Sequence, residues 1–203
     1  MKRLYVFPLV AAFIAVGAYA QQRPGSPDPT QVRAGDYTVE AAHTRVQFTV
    51  DHMGFSDWYG DFSGVSGTLS IDPANLAAGK VDITVPTSSV STTNTELDGT
   101  LKGKQWFDAA TYPTIRFVST KIEPTGAKTA RVTGNFTLHG VTKPLTLEAR
   151  FNGAGINPIT HMYDLGFNLT GTIKRSDFGV AAFVPVVADE VDIRISAVFE
   201  RKP

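Results

Sequence analysis

Polar and apolar residues alternate with a period of two along most of the chain. Val46, Phe48 and Val50 interleave with Arg45, Gln47 and Thr49, and Val65, Leu69 and Ile71 keep the same parity. Val81, Ile83 and Val85 then alternate with Lys80, Asp82 and Thr84, and Ile115 and Phe117 open a further segment. The second half is more regular. Ala130, Val132, Phe136 and Leu138 share one face, as do Leu145, Leu147, Ala149 and Phe151. Leu165, Phe167, Leu169 and Ile173 form the next row, and Val191, Ile193, Ile195, Ala197 and Phe199 the last. Alternation sustained over this many segments predicts antiparallel strands with one wet and one dry face, about eight of them. Turns are expected at Asp72-Pro73, Pro124-Thr125-Gly126 and Asn152-Gly153.

One stretch departs from this period. Residues 93–107 place Leu97 and Leu101 four apart, on one face of a short helix, with Trp106 and Phe107 anchoring its end and two glycines weakening it. The pattern therefore predicts an all-β domain, an eight-stranded antiparallel sheet with a short helix in a long connection. Such strands close as a barrel or stack as a sandwich, and periodicity alone does not separate the two. A transmembrane barrel is excluded, because the outer face carries Lys80, Asp82, Glu148, Arg150, Asp192 and Arg194, charges that a lipid-facing surface does not tolerate.

The N-terminus has a different character. Lys2 and Arg3 precede an uncharged run from Leu4 to Ala18, and Ala18-Tyr19-Ala20 supplies small residues where a signal peptidase reads. Residues 1–20 are expected to be a cleaved secretory signal, since the run is shorter than the roughly 20 residues of a membrane span. Residues 21–34 hold three prolines and few apolar side chains, and read as a disordered leader. The domain proper is expected over 35–201. A periplasmic destination follows, and the absence of cysteine suits an oxidising compartment.

Of the 203 residues, 19 are basic and 19 acidic. Such a balance argues against nucleic acid as a partner. Without cysteine there is no thiolate nucleophile and no Cys-based metal site. His43, His52, His139 and His161 lack metal-ligand spacing. His52 shares the inward parity of Val46, Phe48 and Val50, and reads more readily as a polar plug or ligand contact than as a catalyst. His139-Gly140 is expected to cap a tight hairpin. Asp51, Asp57 and Asp61 lack the ordered oxygen ladder of a calcium loop. Arg175-Ser176-Asp177-Phe178-Gly179 is expected to be a compact corner with an internal ion pair and Phe178 tucked over one end. No catalytic set emerges, and neither a metal nor a cofactor is expected. What stands out is aromatic weight outside the strands: Phe55, Trp58, Tyr59 and Phe62, then Trp106, Phe107 and Tyr112, then Phe183 in an apolar loop. Residues of this kind plug a core or rim a pocket.

Several strings, in order, resemble the YceI-like family of exported, lipocalin-like polyisoprenoid-binding proteins. They are Tyr37-Thr38-Val39, His43-Thr44-Arg45-Val46-Gln47-Phe48, Val50-Asp51-His52 and Gly60-x-Phe62-x-x-Val65-x-Gly67. Trp106-Phe107-Asp108 with Tyr112-Pro113-x-Ile115-x-Phe117, Gly134 to Pro144, and Arg175-x-Asp177-Phe178-Gly179 complete the set. The resemblance implies an extended lipocalin-like barrel enclosing a long-chain isoprenoid lipid, of quinone or polyprenyl type, and no catalysis. Its ligand-binding residues would be Phe48, Val50, His52, Phe55, Trp58, Leu97, Leu101, Trp106, Phe107, Phe117, Phe136, Leu147, Phe167, Leu169 and Phe183. The family's usual Arg-Asp and His-Leu pairs stand here as Leu97-Asp98 and Thr100-Leu101. Loss of that guanidinium disfavours a pyrophosphate head and favours a neutral or quinone-like one. A filled barrel acting through protein partners is the alternative, and a homodimer through one edge or the loop near Trp58 is left open.

Overall fold

The computed structural model describes residues 23–201; the expected signal segment, 1–20, lies outside them. Ten antiparallel strands form one continuous sheet. They are β1 (Gly35–Val39), β2 (Arg45–His52), β3 (Ser56–Phe62), β4 (Ser66–Ile71) and β5 (Lys80–Pro86), then β6 (Thr114–Gly126), β7 (Thr129–Leu138), β8 (Val141–Ile156), β9 (Tyr163–Lys174) and β10 (Glu190–Arg201). One helix, α1 (Thr95–Lys102), lies in the connection from β5 to β6.

The order is β1-β4-β5-β6-β7-β8-β9-β10-β2-β3, and an additional β1–β10 pairing closes the circle. One edge of β10 takes two partners in succession: Ser196–Asp192 pair with Arg45–Thr49 of β2, and Phe199–Arg201 with Val39–Tyr37 of β1. Between them residues 40–44 bulge outward. Glu40 N–H donates to the Val198 carbonyl at 2.8 Å, and Val198 N–H donates to the Thr44 hydroxyl at 3.1 Å. β1 and β2 are thus two lengths of one stave, and β3 and β4 two lengths of the next. The result is a closed eight-stranded barrel whose strand count of ten comes from these two interruptions. Periodicity finds neither β1 nor β3: β1 offers only Tyr37 and Val39 in alternation, and in β3 Tyr59 and Gly60 interrupt the apolar alternation of Trp58 and Phe62.

The expected inward rows face the interior and the charged rows face water. Across the outer face Arg116 clasps Asp82 with two hydrogen bonds, and Arg131 reaches Glu148. Exposed pairs of this kind set register more than they add stability. Two hinge predictions resolve differently. His139 (φ 50°) and Gly140 (φ 76°) form the expected tight two-residue turn between Leu138 and Val141, both in the left-handed region such turns need. Asn152-Gly153 is not a turn. It is a bulge inside β8, where the register slips between Phe151 and Gly153 and the strand continues to Ile156. A bulge bends a long strand around the barrel without ending it.

Residues 23–34, too polar to build a core, nevertheless run against the barrel wall. Ser26 exchanges both backbone hydrogen bonds with Ala154, each 2.9 Å. Backbone pairing needs no apolar side chain, so composition does not reveal it.

The Arg175 corner also differs from expectation. Asp177 pairs with Lys143 at 2.9 Å, not with Arg175. Arg175 is 5% exposed and donates to four carbonyls, those of Val180, Ala182, Val187 and Ala188, at 2.8–2.9 Å. A single planar fork thereby ties down the loop from 180 to 188. Phe178 is buried as expected, its ring edge-on to Phe136 at 5.3 Å. Replacing Arg175 with Lys offers a point charge where a fork is required and leaves carbonyls unpaired, each costing about 1–3 kcal/mol. Arg175→Lys is expected to lower Tm by about 5 °C or more in thermal unfolding followed by circular dichroism.

Candidate functional site

The inward rows do not fill the barrel. They surround one continuous cavity of about 1080 Å³, lined almost entirely by apolar side chains. At one end its mouth is framed by the β2–β3 hairpin, α1 and the loop that Arg175 anchors. The other end lies among the β4–β5 and β6–β7 hairpin tips, where Pro73, Leu76, Ala127 and Lys128 line the cavity.

α1 forms the side of the mouth because its ends are fixed. Asn94 Oδ1 accepts the N–H groups of Glu96 and Leu97, both at 3.1 Å, as an N-cap. Asp98 Oδ1 accepts the backbone N–H of Thr92 at 2.6 Å and its hydroxyl at 2.7 Å, which ties the helix to the preceding loop. The hydroxyl and amide of Thr92 hold the Asp98 carboxyl below its ordinary value. With the helix so fixed, Leu97 and Leu101 face the cavity.

Behind the helix, aromatic rings stack inward: Phe107 lies edge-on to Phe62 at 5.4 Å, and Phe62 sits 5.7 Å from Phe48. Phe48 is directly opposite Gly60, where a Cβ would fall 2.2 Å from its ring. The missing side chain lets the ring lie flat on the wall, which keeps the lumen open. At the mouth Trp58 lies 5.7 Å from the His52 ring and Trp106 lies 6.3 Å from Phe183. The Arg175 guanidinium is 5.3 Å from the Trp106 ring centroid. Phe183 lines the cavity, yet is 65% exposed and has φ 60°, a costly conformation for a bulky residue. Its carbonyl accepts the Val187 N–H at 2.9 Å, which holds it there.

Phe48, Val50, His52, Trp58, Leu97, Leu101, Trp106 and Phe107 are brought together at the upper cavity, with Phe183 at the lip. Phe117, Phe136, Leu147, Phe167 and Leu169 line the barrel wall. Phe55 is not part of this set. It sits at the tip of the β2–β3 hairpin, 88% exposed, because Met53 (φ 65°) and Gly54 (φ 69°) turn the chain before the alternation reaches it. Met53, Leu76, Pro29, Thr30 and Val32 also line the cavity and lie outside the sequence-derived set. All five are in turns or in the N-terminal segment, where no periodicity marks an inward position.

Polar lining at the mouth comes from His52, Asn94, Glu96 and Thr100. The cationic lining residues are Arg116, Lys128 and Arg175. Arg116 is engaged by Asp82, Arg175 by its carbonyls, and Lys128 lies at the far end. Among the described residues no group of three or more His, Asp or Glu side chains is placed to hold a metal, and no helix is long and apolar enough to cross a membrane.

A closed eight-stranded β-barrel around an apolar lumen defines a lipocalin-like binding protein in architecture. Residues 37–199 match the YceI-like domain, and the chain belongs to that family. It is 41% identical over 168 residues to a UPF0312 protein of Pseudomonas savastanoi pv. phaseolicola, covering 82% of this chain and 86% of that one. Over 165 residues it is 39% identical to the protein YceI of Escherichia coli O6:H1, covering 80% and 85%. Among solved structures, Burkholderia cenocepacia BcnA superposes with a TM-score of 0.72 at 30% identity, over 79% of this chain and 98% of that one. A polyisoprenoid binding domain from Saccharophagus degradans shares the fold, with a TM-score of 0.62 at 16% identity over 82% and 98%.

The Asp98 anchor makes the mouth sensitive to acid. Its lowered carboxyl contributes stability that is fully present above the unfolded carboxylate pKa of about 4, and is lost as pH falls through the lower folded value. Acid titration of the indole emission from Trp58 and Trp106 is expected to show a transition below pH about 4. Asp98→Ala is expected to show the acid-form emission already at neutral pH.

Proposed function

We propose that the protein binds one long-chain isoprenoid lipid in the barrel lumen, as a periplasmic carrier or sequestering protein without catalytic activity. The observation that carries this reading is the single continuous apolar cavity of about 1080 Å³. A lumen lined almost entirely by apolar side chains suits a flexible hydrocarbon chain, and each buried CH₂ contributes about 0.8 kcal/mol. Family membership supports it, as does the fold shared with the polyisoprenoid binding domain from Saccharophagus degradans. A filled barrel acting through protein partners fits less well with a lumen of this size. An exported destination rests on the N-terminal pattern.

At the mouth the head group meets no uncommitted cation among the lining residues. Leu97 and Thr100 stand where the family usually has Arg and His, and Arg175 spends its donors on carbonyls. A quinone-like head fits this environment better than a pyrophosphate, with the His52 imidazole, the Asn94 amide and the Thr100 hydroxyl as hydrogen-bonding groups at the mouth.

Native mass spectrometry of protein purified from its own host without detergent is expected to show a discrete added mass that releases an isoprenoid lipid on solvent extraction. Bare protein that stays bare after incubation with quinones and polyprenyl phosphates would overturn the reading. The same spectra give the subunit count. In fluorescence titration a quinone is expected to bind more tightly than a polyprenyl pyrophosphate of matched length, and His52→Leu to narrow that difference. Tighter pyrophosphate binding would sink the neutral-head assignment.

A further inference from the structure

The end of the cavity opposite the mouth is crossed by the N-terminal segment, and the crossing is built rather than incidental. β8 continues past the end of β7, whose last pair is Thr129 with Arg150, so its edge beyond that point has no strand partner. Ser26 takes that edge through its two hydrogen bonds with Ala154. From there the chain enters a 3₁₀ turn, Pro29–Gln31, which Asp28 caps by accepting the Thr30 N–H at 2.9 Å. Two tyrosine hydroxyls then hold the segment. Tyr163 donates to the Gln31 carbonyl, and Tyr37, itself fully buried, donates to the Arg33 carbonyl at 2.7 Å. The Arg33 guanidinium lies over the Tyr163 ring at 4.0 Å.

The barrel wall is shaped for this passage. A Cβ on Gly155 would fall 2.3 Å from the Pro24 carbonyl oxygen, and one on Gly153 would fall 3.2 Å from that of Ser26. A side chain at Gly155 would push the segment off the wall, and one at Gly153 would crowd it. The segment also faces the ligand space, since Pro29, Thr30 and Val32 line the same cavity as Trp58 and Phe183 at the mouth.

We propose that residues 24–34 form a strap that acts as the floor of the lumen and sets the length of hydrocarbon chain the protein accepts. The inference rests on the lumen being the lipid site and adds a specificity element to it. A tail entering from the mouth gains affinity with each unit until it meets Pro29–Val32, and further units find no apolar wall. The strap is held by backbone and hydroxyl hydrogen bonds and contributes few core side chains, so it can be displaced without dismantling the barrel.

The test is a chain-length series, with quinones of increasing tail length titrated against the indole emission of Trp58 and Trp106, at the end remote from the strap. In the wild-type protein affinity is expected to rise with length and then reach a break point. Deleting residues 24–33 is expected to move that break to longer tails and strengthen binding of the longest quinone about tenfold, while the shortest is unaffected. Gly155→Ala displaces the strap while keeping every cavity-lining side chain of the barrel wall itself; it is expected to shift the break the same way, and serves if the deletion fails to fold. A Ser26→Cys, Ala154→Cys pair in this cysteine-free chain ties the strap down when oxidised, and is expected to keep the wild-type break. A break that stays put in both released forms, with short-tail binding intact, overturns the strap's role. If quinones of every length are refused, the lipid reading falls and n-alkanols, which need only an apolar lumen, take their place in the series. An unmoved n-alkanol break overturns the strap by itself.

Discussion

Everything in this molecule follows from the girth of its barrel. Eight staves tilted around an axis enclose more space than their inward side chains occupy unless those side chains are large and well distributed. Here many are large, yet a cavity of about 1080 Å³ remains. Phe48 lies against the wall because Gly60 stands opposite it, and Phe107 and Phe62 pack edge to face beside it. The apolar surface that drives folding is thus divided between two packed clusters and a lumen. One cluster gathers around Phe62, Val90, Leu101 and Phe178, the other around Tyr37, Leu69, Leu165 and Phe199. In the proposed function a lipid would supply the contacts that the lumen lacks.

Closing such a barrel leaves two ends with backbone that no strand satisfies, and the molecule treats them differently. At the mouth a buried guanidinium gathers four loop carbonyls, and a helix is pinned by Asp98 to Thr92. These are charge-assisted bonds, which fix geometry firmly. At the other end the strap is held by neutral backbone and tyrosine hydrogen bonds. The firmer end carries the exposed Phe183 and the polar lining residues, where a head group and its entry path need defined positions. With a lipid bound as proposed, the softer end would meet only the tip of its tail.

The staves were legible because period-two alternation survives wherever one face is wet and the other dry, as it does from Val81 through Val191. It failed at β1, β3 and the Asn152-Gly153 bulge, where a short stave or an extra residue breaks the count. The cavity lining was legible on the same grounds, since inward parity places Phe136, Leu147 and Phe167 without reference to neighbours. Phe55 entered the ligand-contacting set with the loop aromatics rather than by parity, and it stands exposed at the hairpin tip because Met53 and Gly54 turn the chain through left-handed conformations. The strap was invisible for a different reason. Its attachment uses carbonyls and amides, which every residue has, and its only sequence trace is the pair of glycines on the partner strand. The partners of Arg175 were equally hidden, since a guanidinium that binds carbonyls leaves no acidic residue to point at.

An apolar lumen does not discriminate well by itself. Adding a methylene changes affinity by the same small increment in any greasy channel, so the walls supply strength and leave selection to the ends. In the proposed function, two properties of a prenyl lipid would then be read: its head, at His52, Leu97 and Thr100, and its length, at Pro29–Val32. Replacing the family's usual Arg and His by Leu97 and Thr100 alters the first without touching the barrel. A change in the strap would alter the second just as independently. On that reading the fold separates what would hold the ligand, the apolar wall, from what would choose it, the two ends.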